Sequence, residues 1–122
     1  MADVKIIMET YGVNYALTME RFMRQEKMYV RILGMLFKDE CLGDLRRALQ
    51  AENLDGAFQA AHTLKGVSGN LGLTPLYEAV CDIVEPLRHG EKRSDYPAML
   101  EKIEEEFVKV RQMHEELTAC QL

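Results

Sequence analysis

A chain of 122 residues with 48% hydrophobic and 29% charged side chains carries enough apolar surface to bury one core, which excludes a disordered tail or a collagen-like repeat. Fifteen Lys plus Arg against twenty Asp plus Glu leave a formal net charge of -5, so a phosphate backbone is repelled overall and nucleic acid is not the expected partner. Cys41, Cys81 and Cys120 are odd in number, far apart and without a CxxC pair, so they indicate neither a disulfide framework nor a zinc site.

A reducing cytoplasm is the compartment this cysteine usage fits. No stretch approaches the ~20 apolar residues a membrane span needs, so no membrane insertion is expected. The start, MADVKIIMET, has acidic residues and too short an apolar run for a signal peptide. The expectation is one soluble domain over residues 1–122, with its core at about 14–118, monomeric by default.

Three prolines and eight glycines punctuate segments rich in Leu, Met, Ala, Glu, Lys and Arg, and strand signals are almost absent. A short helix is expected over Asn14–Met23, with Ala16, Met19 and Met23 on one side, lidding the rest. From Glu26 to Leu49, Tyr29, Leu33, Leu36, Leu45 and Leu49 keep a three-and-four spacing, the mark of one long helix whose weak points are Asp39 and Gly43. Asn53 to Gly56 is a polar break before a helix over Asp55–Leu71, which Gly72 stops. A further helix runs from Thr74 to His89, with Thr74 as cap, Pro75 in its first turn and Gly90 beyond its end. Pro86 falls inside this segment and is expected to kink or split it near Glu85. The last helix runs from Asp95, a second cap, to Thr118, with Leu100, Ile103, Phe107, Val110 and Leu117 as its apolar stripe. The sum is an all-α protein, an antiparallel four-helix bundle with an additional short N-terminal helix.

On a wheel of about 100° per residue with His62 at zero, Ala57, Ala61, Leu64, Val67, Ser68 and Leu71 cluster between about 140° and 260°. The buried side is thus opposite His62. Within about 60° of His62 lie Asp55, Phe58, Gln59, Lys65, Gly66 and Gly69. Each mid-helix glycine costs about 0.5–1 kcal/mol relative to alanine, and neither falls on the buried side, so a gain other than packing is implied. Losing the side chains at 66 and 69 clears a lane beside the imidazole. Lys65 supplies a positive charge that would meet a phosphoryl group carried on the ring nitrogen. Neutral imidazole, with a reference pKa of about 6.5, is a competent nucleophile without special tuning.

The bland reading, a solvated His–Lys surface pair, is weakened by the two glycines on the same face. Other sites fare worse. The glycines at 66, 69 and 72 read GxxGxxG, with no preceding strand and no GK[ST], so they are no phosphate loop. A di-iron bundle needs Glu-x-x-His, yet Gln59, Pro86 and Arg111 stand three before His62, His89 and His114. His114 is expected as a partly buried residue favoured by the helix terminus, and His89 as a terminus residue. Met19, Met23, Met28 and Met35 read as core filler more than as an adaptable surface.

The run AHTLKGVSGNLGL, with His62, Leu64, Lys65, Gly66, Ser68, Gly69, Leu71 and Gly72, resembles the signature of the histidine-containing phosphotransfer (HPt) domain of two-component phosphorelays. The upstream ALTMERFMRQEKMYVRILGMLFKDE is similar to the family's short first helix and the start of its second, extending the likeness from about Asn14 to the end. The resemblance implies a phosphocarrier rather than an enzyme with its own ATP site. His62 would accept a phosphoryl group from a receiver-domain aspartate and pass it to another, with Lys65 steadying its oxygens and Gly66 giving access. It implies no cofactor on this chain, Mg2+ belonging to the receiver's acidic site. The implied partners are response-regulator receiver domains and a hybrid histidine kinase, docking beside His62, where Phe58, Gln59 and Gly69 are the candidate contacts. Two alternatives stay open: the phosphoacceptor domain of a chemotaxis-type histidine kinase, and a helical adaptor that binds without chemistry.

Overall fold

A computed structural model describes residues 3–121. Among them the secondary structure is helical throughout: α1 Val4–Thr10, α2 Tyr15–Arg21, α3 Glu26–Leu36, α4 Cys41–Gln50, α5 Leu54–Asn70, α6 Thr74–Arg88 and α7 Tyr96–Cys120. The bundle is built from α4, α5, α6 and α7. Each packs on the next, and α4 also touches α7, so the four close on one another. Connections as short as residues 51–53 and 71–73 leave consecutive helices no course but antiparallel. The α1 and α3 helices lie on α7, and α2 on α1.

The core runs through Tyr29, Leu33, Leu45, Leu64, Ile83 and Ile103, each fully buried. Methionines divide between the two readings: Met8, Met19 and Met113 are buried, whereas Met23 and Met35 are 70% and 60% exposed. None of Cys41, Cys81 and Cys120 is in a disulfide.

Several local expectations are corrected. The long helix over 26–49 is two helices, α3 and α4, broken at residues 37–40, where the Asp39 carboxylate accepts the Cys41 N–H at 2.8 Å and starts a new turn. The apolar spacing carries across the break, because both pieces face the same core. The N-terminal α1 was not anticipated; Asp3 caps it by accepting the Ile6 N–H at 2.9 Å. Asn14 and Asn53 cap α2 and α5 in the same way, from the N–H groups of Leu17 and Gly56. Neither Thr74 nor Asp95 caps with its side chain: Leu73 occupies the cap position of α6, and the Asp95 carboxylate is taken by Arg93. Pro86 does not split α6, since only Leu87 and Arg88 follow before the helix ends and the missing N–H falls in its last turn.

Gly72 and Gly90 stop α5 and α6 as expected, at φ +70° and +64°. Gly72 answers a second demand as well. A Cβ there would collide with Thr18 Oγ1, so α2 presses directly on the end of α5. Arg21 of α2 completes that contact, donating to the Gly69 and Asn70 carbonyls at 2.8 and 3.2 Å in the last turn of α5, the Gly69 carbonyl accepting the Gly72 N–H as well. The expected lid is a clamp on the helix that carries His62.

Candidate functional site

The α5 helix shows the burial pattern its wheel demands. Ala57, Ala61, Leu64 and Ser68 are buried, joined by Ala60, and Val67 is half-buried. The Ser68 hydroxyl is satisfied within the helix by donating to the Lys65 carbonyl at 3.1 Å. His62, Gln59 and Gly66 are exposed, and Phe58, Lys65 and Gly69 half-buried.

His62, Lys65, Gly66 and Gly69 line one shallow groove of about 290 Å³ together with Asn70 and Tyr77. Four of the residues assigned from sequence are therefore brought together. Phe58 and Gln59 are not in its lining: Phe58 lies on the other side of His62, one turn toward the helix start, and Gln59 is turned to solvent one turn before Thr63, whose hydroxyl donates to the Gln59 carbonyl at 3.0 Å.

The two glycines differ in a way the wheel did not show. A Cβ on Gly66 would meet no heavy atom within 4 Å, so this position is open space beside His62. A Cβ on Gly69 would stand 3.2 and 3.3 Å from Cε1 and Cδ1 of Tyr77, which explains this glycine by the close packing of α6 on α5. The expectation that both clear a lane is corrected: Gly66 does, and Gly69 makes room for a ring that walls the groove. Side chains on a helix lean toward its N-terminus, so any side chain at 66 would tilt back over His62. Its absence is what leaves the imidazole approachable.

Tyr77 and Asn70 were missed in the sequence. Tyr77 belongs to a neighbouring helix, and periodicity read one helix at a time carries no signal for it. Beyond Tyr77 the groove is continued by a second one of about 430 Å³, which shares Gly69, Asn70 and Tyr77 and adds Leu17, Thr18 and Arg21 of α2. Leu17 is 59% exposed there. On the other side of the imidazole, the Phe58 ring lies 5.6 Å from it, centre to centre, at 42°.

The other histidines lie elsewhere. His89 follows α6, exposed and 3.9 Å from Glu85. His114 packs at 5.3 Å against the Phe37 ring, and its Nε2 would stand 2.9 Å from a Cβ on Gly34. It is held by that contact rather than by a helix terminus, since α7 continues to Cys120. Among the described residues, no group of three or more His, Cys, Asp or Glu is placed to hold a metal ion. Likewise no described helix is long and apolar enough to cross a membrane.

A model of the Hpt domain family matches residues 37–120, more than half of the chain and the whole of α4 to α7. The chain belongs to the Hpt domain family. Histidine phosphotransfer in phosphorelays, with receiver domains as the general class of partner, is what membership implies. The match begins at Phe37, so the likeness seen from Asn14 to Leu36 lies outside it. Neither the curated proteins nor the solved structures gave a match.

Proposed function

We propose that this Hpt protein is a phosphocarrier that accepts a phosphoryl group on His62 from the aspartyl phosphate of one receiver domain and passes it to the aspartate of another. The observation that carries the reading is the placing of an exposed His62 in one groove with Lys65 and an open Gly66.

In the forward step a nitrogen of neutral His62 attacks phosphorus, the bond to the aspartyl oxygen breaks, and the carboxylate leaves with the electron pair. Lys65, one turn along the same face, offsets the charge of the phosphoryl oxygens. The reverse of the same step, on a second receiver, unloads the group. The receiver's acidic site supplies Mg2+, and this chain supplies the nucleophile, a cation and access. Tyr77, Leu17 and Phe58 form the apolar edge against which a receiver docks, while Gln59 and Gly69 border it. On this reading the Hpt unit acts in the cytoplasm and as a monomer.

Incubation with a phosphorylated receiver from the same genome tests this, scored as acid-labile, alkali-stable label on the wild type and on His62→Gln. Label on the wild type alone is expected. His62 is exposed, so the variant keeps its fold, which circular dichroism checks. Label on both would move the site to His89 or His114. Label on neither would favour a non-catalytic adaptor, or a phosphoacceptor served directly by a chemotaxis-type kinase.

A further inference from the structure

His62 is exposed, and an exposed imidazole is free to rotate unless something fixes it. Phe58 stands one turn before it on α5, and a helical side chain leans toward the N-terminus, so the imidazole falls back over the phenyl ring at 5.6 Å. A half-buried phenyl at the helix surface would itself be mobile. Here Arg88 of α6 holds it, with its guanidinium carbon 5.1 Å from the ring centre, and Arg88 Nε is in turn 3.3 Å from Glu85 Oε1. Guanidinium, phenyl and imidazole thus form a chain of contacts across two helices, the imidazole tilted 42° to the phenyl.

Resting on the phosphocarrier reading of His62, we propose that Arg88 is a positioning residue: it pins the Phe58 ring, and that ring restricts the imidazole so that its reactive nitrogen faces the open space beside Gly66. The gain is preorganisation, since a nucleophile already confined near its attack geometry loses less freedom on reaching it. His89, exposed and 3.9 Å from Glu85, has no such ring beside it. The arrangement also gives Phe58 a task separate from docking. If Arg88 merely shielded the ring from water, removing it would loosen α6 and leave the imidazole where it was.

The test uses phosphoramidate, a small donor that needs no docking, on the wild type, Arg88→Gln, Arg88→Lys and Phe58→Leu. The one-step energy of a partly exposed cation–ring contact corresponds to a rate factor of about two to five. Labelling of His62 in Arg88→Gln and Phe58→Leu is expected to slow by that factor, with Arg88→Lys in between because it keeps the charge. The second readout does not depend on activity. In the unphosphorylated protein the His62 ring protons carry a ring-current shift from Phe58, and Arg88→Gln should move them toward their values in Phe58→Leu. Unchanged His62 ring shifts in Arg88→Gln, whatever the labelling rate, would overturn the proposal, and so would labelling at the wild-type rate. Failure of the phosphocarrier reading shows differently, as a wild type that takes no label on His62 from any receiver.

Discussion

Gly69 and Tyr77 meet so closely that a methyl group on the glycine would stand 3.2 Å from the tyrosine ring, while Gly66, one turn earlier, faces empty space. The same residue type on the same helix face thus answers two different demands. Alanine at 66 gains helix propensity and meets nothing, so Gly66→Ala should raise stability by about 0.5–1 kcal/mol. Alanine at 69 gains the same propensity but must displace the Tyr77 ring by a few tenths of an ångström. Gly69→Ala should therefore be less stable than Gly66→Ala by about 1 kcal/mol. Urea denaturation of the two variants checks the order. The more stable variant should also be the worse carrier: on the phosphocarrier reading, Gly66→Ala loses roughly tenfold or more in labelling by a receiver, because the methyl takes up the open space through which a receiver reaches the imidazole. A Gly66→Ala protein that is both more stable and fully active would remove the access argument.

Much of this site is legible in α5 alone because the helix buries one face, and burial turns a 3.6-residue period directly into an address for each side chain. The exposure of His62, the cation one turn on and the open position at 66 all follow from that. What the period cannot carry is contact between helices. Tyr77 against Gly69 depends on the packing of α6 on α5, and the Arg21 bonds to the Gly69 and Asn70 carbonyls join positions nearly fifty residues apart. The placing of His114 depends in the same way on Gly34, far away on α3. The break between α3 and α4 was hidden for another reason. Asp39 was visible as a weak point, but the apolar positions stay in register across it, so spacing alone gives one helix where a side-chain bond to the Cys41 N–H makes two.

Tyr29 anchors α3 to the end of the site helix. Its ring is fully buried, edge-on to Phe22 at 5.1 Å, and its hydroxyl donates to the Leu71 carbonyl at 2.7 Å. Burial holds the phenol well above its usual pKa, so it is a donor at neutral pH. Tyr29→Phe keeps the ring and removes only the donor. The expected cost is about 1–2 kcal/mol, the bond itself plus the desolvated carbonyl left behind. Amide exchange should accelerate at the C-terminal turn of α5, beside Gly69 and Asn70, more than in α7. A uniform acceleration across all helices would show that Tyr29 supports the core in general and not the site helix.

Glu106 gives the fold a dependence on acid. It is 6% exposed on α7, and its Oε1 accepts from Lys102 Nζ at 3.1 Å and Lys109 Nζ at 3.2 Å. Burial on its own would raise the carboxyl pKa, but the two lysine hydrogen bonds and charges outweigh it, and the net position is below the ordinary 4.5. The native state therefore keeps the carboxylate ionised at a pH where the unfolded chain is already taking up the proton. The stabilisation is fully present above about 4.5 and is lost as the pH falls through the lower native value. Both lysines are 58% exposed, which weakens the pair through solvent screening and limits its contribution at neutral pH to about 1 kcal/mol. Glu106→Gln should be less stable than the wild type by that amount at pH 7, and the gap should close as the pH drops below about 4.5. Urea midpoints of both proteins across that range measure it. A gap that stays constant down to pH 3 would mean the glutamate acts through its packing and not its charge.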